Sequence, residues 1–530
     1  MNAKKNISIQ SFYILALTVG FGFLSPSRAA VPPDPKVLHA LDRLSFGPQP
    51  GDIERAANLG IERYIQQQLN PNAIPESQRL NARLAQLETL ELNSLQLLEQ
   101  IELPRSVKGQ KPTPEQRRAY QQEMRYVREQ AEQARLLRAT ESPRQLQEVM
   151  VDFWYNHFNV FDRKGVTRFL VGAYEREAIR PHTFGRFRDL VGATARHPAM
   201  LFYLDNWQNT VATGPNARGK ARGLNENYAR ELMELHTLGV DGGYTQQDVV
   251  ALAKILTGWT FRRSARPGVG EYGFYFDAQR HDYSDKVFMG RTIQGSGMAE
   301  GEQALDMLAR SPVTARRISY KLAQYFVADR PPNPLVDRLS QTFLSTDGNI
   351  QAVLSALFRS PEFWDSRYYK AKFKTPYQYA LSAVRATGTE VTNFRPVVGF
   401  LQQAGMPLYG CLTPDGYKNT EAAWLNPDAM TRRISFATAL ASGRLPLTTA
   451  MSAASSERPP SNRRERLTLA GPMLRKSLKP SSALMAPLDA TQLGLTLGNP
   501  FSAKTQQAIA ASPPQLRAAL VLGSPEFMRR

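Results

Sequence analysis

NENYARELMELHTLGVDGGYTQQDVVALAKILTGW, residues 225–259, decides the fold class. On a wheel of about 100° per residue, Tyr228, Leu232 and Leu235 define an apolar arc, with Ala229 and Met233 beside it. Glu226, Asn227, Arg230, Glu231 and Glu234 occupy the opposite arc. That is an amphipathic helix with one face for a core. Asp241-Gly242-Gly243 stops it, and Thr245 with Asp248 three residues on forms a capping box that opens another helix. The same 3.6-residue rhythm runs through QLQEVMVDFWYNHFNVF (145–161), through 175–206, and again from 302 to 360. The expected fold is therefore all-α, a large multi-helix array.

One segment breaks the rhythm. In EYGFYFD (271–277), Tyr272, Phe274 and Phe276 alternate as in a strand. KVFMGRTI (286–293) is its expected partner, giving one small β-hairpin near 271–293. Outside that hairpin, residues 36–70 read as two short helices around a Phe46-Gly47-Pro48 turn, with Asp52 capping the second. Residues 104–115 read as an exposed loop. Residues 116–140 read as a charged helix with a narrow stripe of Tyr120, Met124, Val127, Ala131 and Ala134.

Composition and charge bound the function. The chain has 530 residues, 42% hydrophobic and 21% charged, enough for one large core or several smaller ones. Lys4 and Lys5, the apolar run Phe12–Leu24 and Ser27-Arg28-Ala29 make an expected signal peptide over residues 1–29. The mature protein is expected to be exported, periplasmic or extracellular, and no later stretch reaches the ~18 apolar residues of a transmembrane helix. Residues 30–445 form the expected main helical domain, 446–480 a basic flexible linker and 481–530 a helical segment packing back on that domain. Net charge is +19, and residues 432–530 hold fourteen Lys and Arg against four Asp and Glu. For an exported chain such charge suits an anionic envelope polymer rather than nucleic acid, no module for which is present. Cys411 is the only cysteine and reads as a small apolar residue.

The motifs resemble a bacterial family known as domain of unknown function 1800. The resemblance rests on HALDRLSFGP (39–48), FWYNHF (153–158), REAIRPHTFGRFRDL (176–190), HPAMLFYLDN (197–206) and the opening stretch. It continues in His281-Asp282 with Lys286, TARRISYKLAQYFVAD (314–329), Pro414-Asp415-Gly416 with Trp424, and a terminal SPEF (524–527). It implies a secreted, mainly helical protein without an established activity. By family association it also implies a sulfatase- or phosphatase-like partner protein. The resemblance leads us to expect His-Pro before TARR, where this chain has Ser311-Pro312.

Chemistry can reside in two places. Glu231 and Glu234 stand on adjacent turns and could bind a divalent metal or divide acid and base roles, with Arg230 holding an anion or the carboxylates. The bland alternative is a solvated ladder in which Arg230 pairs with Glu226 and Glu234. His236 and His157 both fall on apolar arcs, where an imidazole needs a partner and its pKa can be tuned. His281-Asp282 sits on an expected loop tip. The candidate catalytic residues are thus His157, Arg230, Glu231, Glu234, His236, His281 and Asp282, and His157, His236 and Glu231 are the candidate metal ligands. His39, His182 and His197 read as structural. HExxH, P-loop, GxSxG and CxxC signatures are missing, and no GxGxxG stands before a helix. The expected function is a hydrolase-like enzyme acting on an anionic envelope polymer or a phosphate or sulfate ester. A non-catalytic polymer-binding protein is the alternative.

Overall fold

Helix starts carry the local code. In the computed structural model, which describes residues 33–100, 112–211, 223–448 and 485–530, Asp34 caps α1 (Pro35–Leu44), with proline at its first position. Helices α2 (Asp52–Leu59), α3 (Ile61–Leu69), α4 (Gln78–Leu84) and α5 (Ser94–Gln100) follow. Asp52 is not the cap of α2. Gly51 takes that place with φ of 86°, and Asp52 is the first helical residue. Its buried carboxylate accepts from the Gln49 amide and pairs with Arg385 at 3.0 Å.

The charged helix is α6 (Pro114–Glu141), opened by a capping box between Thr113 and Gln116. Its stripe is buried at Met124, Val127, Ala131 and Ala134. Helix α7 (Gln145–His157) is the central element and is buried on nearly every face. It carries four buried polar side chains, each matched, Gln145 by donating to the Ala139 and Ser142 carbonyls. Glu148 takes two bonds from Arg180 (2.6 and 2.9 Å), Asp152 takes one from Arg135 (2.7 Å), and His157 is satisfied as described below. Buried charge without such partners would cost several kcal/mol, on the order of the whole stability of a domain.

Helix α8 (Thr167–Tyr174) runs into a π-turn at Glu175–Ile179, followed by α9 (Phe187–Arg196) and α10 (Pro198–Tyr203). The opening stretch forms α11 (Asn227–Glu231), a second π-turn (Leu232–His236), and α12 (Gln246–Ile255) with the expected Thr245–Asp248 capping box. Trp154, Tyr174, Tyr228, Phe158 and Phe187 are fully buried.

The β-structure differs from expectation. β1 (Trp259–Phe261) pairs antiparallel with β2 (Phe274–Phe276). β3 (Lys286–Phe288) pairs with β4 (Arg291–Ile293) across Met289-Gly290. KVFMGRTI is thus a hairpin in itself, not the partner of EYGFYFD. Met289 and Gly290 both have positive φ (48° and 75°), as the commonest two-residue hairpin turn requires. Trp259-Thr260-Phe261, read as the tail of a helix, supplied the other strand.

The second half adds α13 (Met298–Ala309), α14 (Pro312–Phe326), α15 (Asn333–Ser345), α16 (Ile350–Phe358), α17 (Pro376–Ala386), α18 (Arg395–Gln403), α19 (Glu421–Trp424) and α20 (Pro427–Ala441). After the 446–480 stretch, most of which lies outside the described residues, come α21 (Ala490–Leu497), α22 (Ala503–Ala511) and α23 (Pro514–Gly523). Helix α23 packs on α20, and residues Pro33–Arg530 form one unit. The two SPEF segments fold alike. Ser360 and Ser524 each donate to the carbonyl three residues back and accept the amide of Phe363 or Phe527, both buried. No helix among the described residues is long and apolar enough to cross a membrane. The signal segment and residues 104–111 of the expected loop lie outside the described residues, and the end of that loop, Pro114 and Glu115, is the first turn of α6.

Candidate active site

Asn225 starts the polar helix by accepting the Asn227 amide at 3.0 Å. The π-turn then changes the wheel. The Thr237 hydroxyl closes it on the Leu232 carbonyl at 2.7 Å, and Gly239 returns its amide to Met233. A π-turn advances less per residue than an α-turn and often marks a functional position. Here it turns His236 inward, 1% exposed, and leaves Leu235 half-buried at the rim.

The polar arc divides. Arg230 reaches Glu226 (3.1 Å), Glu234 (3.5 Å) and Gln246 (2.8 Å), while Gln246 donates back to Glu226 (2.8 Å). This is the surface ladder, worth about a few tenths of a kcal/mol per pair. Glu231 turns away from it into a pocket of about 420 Å³ walled by Phe161, Arg163, Lys164, Tyr203 and Leu412. Burial pushes the Glu231 carboxyl up, Glu234 and Asp415 push it further, and Arg230 opposes them. Lys164 is tied to Asp205 at 2.7 Å, whereas Arg163 is mostly exposed and lies 3.8 Å from Asp162.

The floor of this region is the loop 411–418, held to the end of α7 by two asparagines. Asn156 donates to the Tyr417 carbonyl (2.8 Å) and accepts its amide (2.7 Å). Asn159 donates to the carbonyls of Cys411 and Thr413. Cys411 is buried and free. Asp415, bound to Lys418 (2.6 Å) and Thr413 (2.5 Å), is held below the usual carboxylate range against the effect of its burial.

Behind the π-turn lies a basic cluster. His157 Nε2 is 3.0 Å from the His236 carbonyl, so Nε2 carries the proton and Nδ1 accepts. Lys321 Nζ is 2.8 Å from that Nδ1. Burial, then Arg317 and Lys418, lower Lys321 to about 7, with Asp415 opposing. His236 is lowered to about 3 by burial, Lys321 and Arg317, and its Nε2 has no hydrogen-bond partner. His157 and His236 rings stand 6.2 Å apart.

The candidate metal ligands do not assemble. Both ring nitrogens of His157 are already used, and Glu231 belongs to the pocket. Among the described residues no three His, Cys, Asp or Glu side chains are placed to hold a metal ion. His281 and Asp282 form a separate network. His281 is buried, not at an exposed tip. It bonds the Thr257 carbonyl (2.9 Å) through Nδ1 and Glu300 (2.8 Å) through Nε2. Glu300 takes a 2.6 Å bond from Lys286, which also donates to the Asp282 carbonyl. Asp282 caps a turn through Ser284.

The other histidines are structural in their contacts. His39 stacks on Tyr369, and His182 is half-buried in a turn. His197 follows α9 and opens α10. Its Nδ1 accepts the Ala199 amide at the start of α10, and its Nε2 meets Glu177 and Ser94. Ser311, where the resemblance suggested histidine, caps α14.

Lys321, Arg317, Asp415 and Arg163 are absent from the candidate site residues read from sequence, although the first three lie in the motif segments 314–329 and Pro414-Asp415-Gly416. Lys321 had a legible signal: it falls seven residues after Thr314 and four before Tyr325, both buried, so it is a lysine inside an apolar arc. A family model described as "protein of unknown function (DUF1800)" matches residues 39–529. The chain belongs to the DUF1800 family. No curated protein matches it, and no solved structure does. Within this DUF1800 chain, the FWYNHF segment and the Pro414-Asp415-Gly416 segment meet through Asn156 and Tyr417, so two distant stretches of the motif build one site.

Proposed function

We propose that the protein is an exported enzyme of hydrolase type acting on an anionic envelope polymer or a phosphate or sulfate ester. One observation carries the reading: Glu231 lines a pocket whose wall includes Leu412 and Pro414 of the loop that bears Asp415, and the two carboxyls have opposite surroundings, burial pushing Glu231 up while Lys418 and Thr413 hold Asp415 down. Two carboxyl groups separated in this way divide acid and base work. Glu231 is the general acid, protonating the leaving oxygen of a substrate in the pocket. Asp415 stays ionised as base or electrostatic partner. Arg163 draws the anionic substrate to the pocket mouth.

The test is turnover of chromogenic phosphate, sulfate and glycoside substrates and of purified anionic envelope polymer. Glu231→Gln and Asp415→Asn are expected to lower turnover by about 10²-fold or more, the usual contribution of a general acid or base. Turnover equal to wild type in both variants would exclude the assignment. Polymer binding without turnover in the wild type would favour the non-catalytic alternative.

A further inference from the structure

Arg317 and Lys321 lie four residues apart on α14, on one face of the helix. Like charges so placed repel one another, and both side chains are half-buried. Neither pairs with a carboxylate among the described residues. Arg317 gives Nη2 to the Leu235 carbonyl (3.2 Å), and its buried Nε has no partner. Lys321 gives one bond to His157. His236, inward on the π-turn, has a buried unpartnered Nε2, and Lys321 and Arg317 are the two charges that act on it. The carboxylate that acts on Lys321 is Asp415, which is already bonded to Lys418.

Unpartnered buried donors and uncompensated cations each cost free energy. Here they converge from two elements, and each retains donor capacity. A bound anion would satisfy both deficits at once. We propose that Arg317, Lys321 and His236 form a binding site for a tetrahedral oxyanion, phosphate or sulfate, free or as the ester group of a larger molecule. The tetrahedral shape follows from the donors. Arg317 Nε, Lys321 Nζ and His236 Nε2 are groups on three separate side chains, which suits an anion with more than two oxygens rather than a planar carboxylate. His157 is a positioning residue, orienting Lys321 through Nδ1 while its own Nε2 is fixed on the His236 carbonyl. The site is independent of whether Glu231 acts as an acid.

The experiment is calorimetric titration of the purified mature chain with inorganic phosphate, sulfate, phenyl phosphate and acetate. Circular dichroism checks that each variant is folded. Wild type is expected to bind phosphate or sulfate, and Arg317→Gln, Lys321→Met and His236→Gln to weaken that binding about tenfold or more, as for loss of a charge-assisted bond. Arg316→Gln removes the same charge one residue away, on an exposed side chain paired with Asp337, and is expected to bind as wild type. Phenyl phosphate binding at least as tightly as phosphate assigns the site to an ester group, and weaker binding assigns it to the free anion. Should Lys321→Met fail to fold, Arg317→Gln decides. No binding by wild type, equal weakening by Arg316→Gln, undiminished binding in Arg317→Gln, or acetate binding as tightly as phosphate would overturn the proposal.

Discussion

Lys321 Nζ lies 2.8 Å from Nδ1 of His157 and donates to it, because the other ring nitrogen of His157 is committed to the His236 carbonyl. This lysine meets an imidazole where most buried lysines meet a carboxylate, and burial carries it from 10.5 down to about 7. The sign of the pH effect follows. Between pH 7 and 10.5 the unfolded chain holds the Lys321 proton and the folded chain does not, so stability rises with pH across that window. Below about 7 both states hold the proton and the burial cost is fully present. Urea unfolding of wild type and Lys321→Met between pH 6.5 and 9.5 is expected to show this added rise in wild type alone. Parallel curves would contradict it.

The ladder on the polar helix is expected to contribute little. Glu226→Gln and Glu234→Gln remove partners of the half-exposed Arg230 and are expected to change unfolding free energy by less than about 0.5 kcal/mol, with the difference shrinking in salt. A loss of several kcal/mol in chemical denaturation would show that these carboxylates do more than decorate the surface.

Gly416 fixes the site loop. Its φ is +72°, and a Cβ there would lie 2.1 Å from the Asn156 carbonyl oxygen. Gly416→Ala is expected to lift the loop from α7, costing about 1–3 kcal/mol and lowering turnover together with stability. Thermal melts and turnover of this variant check it, and wild-type values in both would refute the close packing described.

Arg135 is a structural cation. It is buried between Asp152 (2.7 Å) and Glu175 (3.3 Å), with its guanidinium 5.1–5.3 Å from the rings of Tyr155, Tyr377 and Tyr409. Arg135→Ala would strand the buried Asp152 carboxylate and leave Glu175 with Arg180 and Tyr409 alone, and is expected to cost about 3–5 kcal/mol. Equilibrium unfolding that shows less than ~1 kcal/mol would contradict that arrangement.

The helical architecture was legible because amphipathic rhythm, capping residues and prolines agree along most of the chain, as at Thr245. The pairing of strands was not. Periodicity marks a strand but says nothing of its partner, so Trp259–Phe261 stayed hidden in a helical tail while Met289-Gly290 had already closed a hairpin. The site was legible in part. A wheel separated Arg230 from His236, but a uniform 100° step could not see the π-turn that shifts Leu235 to the rim. Histidines drew attention as reactive groups, yet His281 is consumed by Glu300 from another element, a pairing that only tertiary structure provides. Lys321 was missed because lysine reads as surface, even where seven-residue spacing from buried Thr314 set its half-buried side chain on the inward face of α14.

Selective ¹⁵N labelling of lysine, with Lys321→Met used for assignment, allows the Lys321 amine to be titrated directly in phosphate-free buffer and again with phosphate present. The buried, carboxylate-free amine beside His157 is expected to titrate near 7 without the anion and to move upward when phosphate is added. Titration near 10.5 in both conditions would contradict it.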